Sequence, residues 1–268
     1  MKHCLLNLIL FSGRRKDILL FLKEKPKDID EIKELLNVNA SSIQLHMKKM
    51  KDSGLITQKN KMYRLSEIGK IIVENMQPLL SMTELLGENT EYWLSHDLSS
   101  IPEFLLEKID ELGHCELLEP DTGHLFETPE VIRDSILSSK EVLTFTAYSH
   151  PQAPLIYTEL AEKGAEIILC MTESVAQRLF LNNRIEAEKL SRAGNSRLFI
   201  SREPTAIPSL IVTDRLFAFK LFENNGKLRD QLVLSFEKRA ICWGKELFRY
   251  YIEAAEPLNE ELFLQQPG

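Results

Sequence analysis

The sequence predicts an α+β protein: an N-terminal winged helix-turn-helix, a helical linker and a C-terminal α/β domain. Three observations predict it. Three helix-spaced segments end near Gly54 and are followed by two short β-rich runs around a basic turn. From about residue 140, apolar β-rich runs alternate with helical ones, the pattern of an α/β domain. Charge is also divided. Residues 1–70 carry 15 Lys and Arg against 8 Asp and Glu, whereas residues 71–268 carry 18 against 32. A basic quarter on a chain of net charge −7 suggests that this quarter alone meets a polyanion. The expected domains are 1–70, a linker and dimerisation segment over 71–124, and an effector-sensing domain over 125–268.

The opening "MKHCLLNLILFSGRRK" has an apolar run of only about eight residues and no small-residue cleavage site, so it reads as a first core-docking helix. Ser12 is placed to cap the helix "GRRKDILLFLKEK", whose Ile18, Leu19, Phe21 and Leu22 cluster on one side and which Pro26 stops. Asp28 opens a second helix, with Ile29, Ile32, Leu35 and Leu36 at helical spacing. Asn37 to Asn39 form a turn. A third helix starts at Ala40 or Ser41 and ends at Gly54, a left-handed terminator. Ser66 and Glu67 begin a long helix with Ile68, Ile71, Ile72, Met76 and Leu79 on its apolar side, ending near Gly87.

Residues 92–120 mix loop, helix and strand. Strand-like runs follow at 141–148, 165–171, 196–200, 209–222 and 231–236, with helices expected at 129–139, 151–163, 174–193 and 243–254. "ENNGK" (223–227) carries the Asn-Gly signal of a hairpin turn.

In the third helix Ile43, Met47 and Met50 stand at i, i+4 and i+7 and form one buried stripe. Ser41, Leu45 and Lys48 then face away, flanked by Gln44 and Lys49, with Ser42 nearer the margin. Ser and Gln side chains suit base edges and phosphates, and lysines farther along suit phosphates. The runs "LITQ" and "MYRLS" form a basic hairpin around Lys59, Asn60 and Lys61, with Arg64 on its second strand. Three helices and such a wing place the third helix in the major groove of double-stranded DNA and the wing on the flanking backbone. Winged-helix folds also serve as protein-interaction modules, and that alternative stays open.

Other chemistries leave little trace. Cys4, Cys115, Cys170 and Cys242 are far apart with no C-x-x-C pair, which argues for a reducing cytoplasm, buried thiols and no metal site. No stretch approaches the roughly 20 apolar residues of a membrane span. No Gly-rich phosphate loop appears, and no cofactor is expected. His96 and Asp97 are adjacent, which suits capping by Asp97 better than acid–base work. Tyr148 and His150 end a predicted strand, where ligands of α/β sheets gather, and Arg202 and Glu203 follow another. These four are the effector-site candidates. Trp243, Phe248, Tyr250 and Tyr251 read as packing.

The stretch "SGRRKDILLFLKEKPKDIDEIKELLNVNASSIQLHMKKMKDSGLITQKNKMYRLSEIGKIIVENM" resembles the helix-turn-helix half of the methanogenesis-regulatory (Fil/Msr-type) transcription regulators of methanogenic archaea. "YWLSHDLSSIP" resembles the entry to that family's middle domain, and "AICWGKELFRYY" its final helix. The resemblance implies a winged-helix DNA-binding domain joined to a sensory α/β domain, acting on methanogenic genes such as methyltransferase operons. The second half is also similar to phospholipase-D-like sensor domains of sugar-responsive archaeal regulators. That fold's catalytic motif is H-x-K-x-x-x-x-D, in which a nucleophilic His needs a Lys to neutralise phosphoryl oxygens. With its Asp set on Asp214, Ile207 stands at the His position and Ser209 at the Lys position. The expectation is therefore a homodimeric, cytoplasmic, ligand-responsive regulator and no enzyme, with a winged-helix protein-interaction module as the first alternative and a phosphodiesterase-like enzyme as the second.

Overall fold

A computed structural model describes residues 5–37, 40–119, 130–202 and 207–259. The chain forms two compact units, Met1–Ser81 and Met82–Gly268.

In the first unit, helices α1 (Leu5–Leu10), α2 (Gly13–Glu24), α3 (Ile29–Leu36) and α4 (Ala40–Asp52) precede strands β1 (Ile56–Lys59) and β2 (Met62–Leu65). Ser12 stands at the N-cap of α2, but its side chain makes no capping bond; its backbone carbonyl accepts from Arg15 and Lys16 instead. Asp28 caps α3 with a full capping box: its carboxylate accepts from the N–H groups of Asp30 and Glu31, and the Glu31 carboxylate accepts from the Asp28 N–H. Ile18, Leu19, Ile32, Ile43, Met50 and Leu55 are buried in one core. The α1 surface is mixed, with Leu8 and Ile9 inside and Leu6 and Leu10 exposed.

Helix α5 (Glu67–Glu88) contains Pro78. Ser66 caps it by accepting from the Gly69 N–H, while its hydroxyl donates to Gly54 and Leu55 carbonyls and ties the helix start to the wing base. Its inward residues are Val73 and Met76 in the first unit and Leu85 in the second. Ile68, Ile71 and Leu79, expected on the apolar side, are exposed.

The second unit includes helices α6 (Thr90–Ser95) and α7 (Glu103–Leu106) and holds an eight-stranded sheet. Its strands are β3 (Glu116–Leu118), β4 (Glu141–Thr146), β5 (Glu166–Thr172), β6 (Ser196–Ser201), β7 (Ser209–Thr213), β8 (Phe217–Lys220), β9 (Leu232–Ser235) and β10 (Ala255–Pro257). Their spatial order is β10-β6-β5-β4-β7-β8-β9-β3. Only β4, β5 and β6 are mutually parallel; the other pairs are antiparallel. Two sequence expectations change here. The run 209–222 folds back on itself, because Thr213 accepts through its hydroxyl from Arg215 and Leu216 and closes a turn there. The helix expected over 174–193 is two, α10 (Glu173–Asn182) and α11 (Arg184–Arg192), parted at Asn183.

Strand alternation gives the sheet two buried faces. Leu143, Phe145, Val212, Phe217 and Phe219 pack on helix α12 (Lys238–Glu253). There Trp243 donates to the Leu105 carbonyl and Tyr251 to the Ser100 carbonyl, so both aromatics are packing groups with satisfied polar ends. Tyr250 is half exposed. The other face carries Val142, Ile167, Leu169 and Met171 under α8 (Glu130–Leu137), α9 (Ala153–Glu162), α10 and α11. Among the described cysteines, Cys115 and Cys170 are buried and burial pushes both thiols up to about 12, while Cys242, contrary to expectation, is exposed. Among the described residues no helix is long and apolar enough to cross a membrane.

Candidate nucleic-acid interface and ligand cavity

On α4 the core stripe is Ile43, Met47 and Met50. Gln44, Leu45, Lys48 and Lys49 are all exposed on the remaining surface. Ser41 and Ser42 lie in the first turn of α4, and their side chains fall outside the described residues. His46 is half-buried between these faces. Its pKa is lowered by burial and by the positive charges of Arg15, Arg14 and Lys49, so α2 brings two guanidinium groups toward α4. Sequence reasoning missed Arg14 and Arg15 as members of this surface; the Arg-Arg pair at the start of α2 was the available signal.

The wing is a two-residue hairpin. Lys59 pairs with Met62, and both Asn60 and Lys61 have positive φ, 53° and 65°, as the tightest hairpin turn demands. Lys59, Asn60, Lys61 and Arg64 are all exposed. Arg64 donates to the Thr57 hydroxyl across the ladder at 3.3 Å, and Lys51 reaches Gln58 at 3.4 Å. Lys27 adds a short bridge to Tyr63, so the wing base is held on both sides.

The second unit encloses a cavity of about 510 Å³ between the sheet and helices α8 to α11. Tyr148 and His150 line it, at the carboxyl end of β4. Arg202 does not: it is exposed and pairs with Glu256 at 2.9 Å. Glu203 lies outside the described residues. Lys220, Asp230, Thr146 and Ser209 add polar groups to the wall, as do Glu119 and Glu130. Lys220 is nearly buried, pairs with Asp230, and holds its ammonium 5.3 Å from the Tyr148 ring centroid. Burial works most strongly against its charge, yet Tyr148 and Asp230 together raise its pKa. His150 is shifted down by burial and by Lys220, so its ring is neutral at pH 7. Lys220 carried a signal in the sequence: in "FAFK" it shares a face with small Ala218, a lone charge on an inward position.

Asp214 is at the opposite end of the sheet. It follows Thr213, which pairs with Val142 at the start of β4, and it accepts from the Lys140 N–H at 3.0 Å. Ile207, at the motif's His position, is fully buried. Asp97 caps the 3₁₀ turn Leu98–Ser100 by accepting from Ser99, which lowers its pKa. His96 is buried, stacks on Tyr92 and bonds the Tyr92 carbonyl through Nδ1. Among the described residues no cluster of three His, Cys, Asp or Glu could hold a metal ion.

Two family models match the chain. The N-terminal domain of methanogenesis regulatory protein FilR1 matches residues 5–84, and the middle domain of the same protein matches residues 125–254. The methanogenesis regulatory protein FilR1 of Methanothrix harundinacea (strain 6Ac) is 27% identical over 254 residues, which cover 93% of this chain and 57% of that protein. The chain thus spans little more than half the length of that relative. Among solved structures, TrmBL2, an archaeal chromatin protein, aligns over 96% of both chains at 16% identity and a TM-score of 0.44. Nuc of Salmonella typhimurium, a phospholipase D family member, aligns over 55% of this chain and 99% of its own at 9% identity and a TM-score of 0.40. With both of its domains matched in order, the chain belongs to the FilR1-type family of methanogenesis regulatory proteins.

Proposed function

We propose that this chain is a cytoplasmic, homodimeric, archaeal transcription regulator that binds double-stranded DNA and controls methanogenesis-related genes, methyltransferase genes among them, in response to a small effector. The observation that carries this reading is one continuous chemistry across two elements: Gln44, Leu45, Lys48 and Lys49 exposed on α4, and Lys59, Asn60, Lys61 and Arg64 exposed on the wing. A helix of that polarity suits the major groove, and the wing cations suit flanking phosphates. Residues 1–70 do the binding, 71–124 link and dimerise, and 125–268 sense. Exposed Ile68 and Ile71 at the start of α5 favour a two-fold contact there, since paired half-sites call for two-fold symmetry.

The effector enters the Tyr148–His150 cavity and acts by binding one state of the dimer more tightly than the other. The test is selection of bound fragments from genomic DNA by the full chain at rising salt. Enriched fragments upstream of methanogenesis genes, with affinity falling steeply with salt, are expected. Absence of any duplex binding at low salt, with capture of a transcription factor instead, would turn the reading toward a protein-interaction module.

A further inference from the structure

The cavity carries an inference that rests on the effector reading above and extends it to the ligand's chemistry. Across the carboxyl end of β4, strand pairing sets Met171 beside Thr146, Thr146 beside Ser209, and Ser209 beside Lys220. One row of the sheet therefore runs from apolar on β5 to cationic on β8. Val175 and Leu179 of α10 extend the apolar end, and Tyr148 and His150 stand at the cationic end.

The cationic end is rich in donors. His150 Nδ1 accepts from the Gln152 N–H at 3.3 Å, which assigns the proton of the neutral ring to Nε2. Tyr148 and Ser209 add hydroxyls, and Lys220 adds an ammonium. Asp230 is the carboxylate bound to that ammonium, beside the Tyr148 hydroxyl, and Lys220 and Asp230 are held differently. Lys220 is fixed in a strand with its side chain 11% exposed. Asp230 sits in the irregular segment after the Gly226 turn, with its side chain 39% exposed. Of the other cavity acids, Glu119 is engaged by the Gln231 amide and Glu130 stands exposed at the start of α8.

We propose that the cavity binds a small amphipathic monocarboxylate, whose carboxylate replaces Asp230 at Lys220 and whose apolar body lies against Met171, Val175 and Leu179. A cationic ligand would bring like charge to a desolvated ammonium, where screening is weakest. A neutral one would leave the ion pair as it stands and gain apolar contact alone. At roughly 30 Å³ per water-sized group, 510 Å³ has room for about 17 non-hydrogen atoms.

The experiment is calorimetry on the full chain with three probes of one body and different heads: octanoate, octylammonium and octan-1-ol. Octanoate is expected to bind saturably and at least about tenfold more tightly than the others. Lys220→Met should weaken octanoate about tenfold and leave octan-1-ol unchanged, while Asp230→Asn, which removes the internal competitor, should tighten octanoate several-fold. A merely structural ion pair predicts instead that both substitutions weaken all three probes alike. The proposal is overturned by absent octanoate binding, by octylammonium or octan-1-ol binding as tightly, or by a weakened Asp230→Asn. Because Asp230 is partly exposed, that variant stays informative if Lys220→Met fails to fold. DNA affinity of the octanoate-saturated chain is read separately: if unchanged, the effector role falls and the ligand class stands.

Discussion

A Cβ at Gly69 would stand 2.0 Å from the carbonyl oxygen of Leu55, so the first turn of α5 lies directly on the backbone that opens the wing. The neighbour is backbone and cannot swing aside. Gly69→Ala is expected to cost about 1–3 kcal/mol, read as a lowered urea midpoint. Gly87→Ala, in the same helix with nothing within 4 Å, is the control and should be neutral or slightly stabilising.

On the DNA-binding reading, Lys48→Ala and Lys61→Ala should weaken all duplexes alike and flatten the salt slope by about 1 each. Gln44→Ala should instead change which sequences are preferred, by about 1–3 kcal/mol at one base pair. Fluorescence anisotropy against a panel of duplexes at several salt concentrations separates the two behaviours. An unaltered slope in Lys48→Ala would remove that side chain from the interface.

His46 gives the first unit a pH dependence. Its folded pKa lies below the ordinary 6.5, mainly through burial and then through Arg15, Arg14 and Lys49, so the unfolded chain binds the proton more readily. The associated stability is full above about pH 6.5 and is lost as pH falls through the folded value. Denaturant titrations at pH 7.5 and 5.5 should show a decline that His46→Gln reduces; an identical decline in that variant would assign it elsewhere.

Asp28 should show its capping role directly. Asp28→Ala leaves the N–H groups of Asp30 and Glu31 without their acceptor and should cost about 1 kcal/mol, whereas Asp28→Ser should retain most of it. Thermal unfolding of the three chains tests this, and equal midpoints would contradict it.

What the sequence made legible was periodic. Ile43, Met47 and Met50 repeat over three turns, so the buried side of α4, and with it the exposed side, follows from spacing alone. Asn60 and Lys61 were legible as a turn because two β-rich runs flank them. In α5 the same reasoning was right in part: Met76 is in the core and Ile72 packs against it, joined by Val73, but Ile68, Ile71 and Leu79 are exposed, and apolarity alone does not say which residues find a partner. Ser12 shows a finer limit, since a capping residue type stands at the right position while its carbonyl does the work.

The cavity was half legible. Tyr148 and His150 end a strand, a local cue. Lys220 and Asp230 flank the "ENNGK" turn that the sequence did suggest, but the turn after Thr213, which reverses the strand ahead of Lys220, it did not. Arg202, placed by the same local cue as Tyr148, spends its charge on Glu256 of the edge strand β10 instead. That contact joins residues far apart in the sequence, which no short window contains.

The row from Met171 to Lys220 joins two parts of the sheet with different connectivity. Strands β4 and β5 are linked by a crossover through α9, while β7 and β8 form a hairpin of local contacts. A molecule lying along that row touches both parts at once. Occupancy would therefore tie their opening together, so that amides of the hairpin and of the parallel strands exchange with solvent as one cooperative block rather than two.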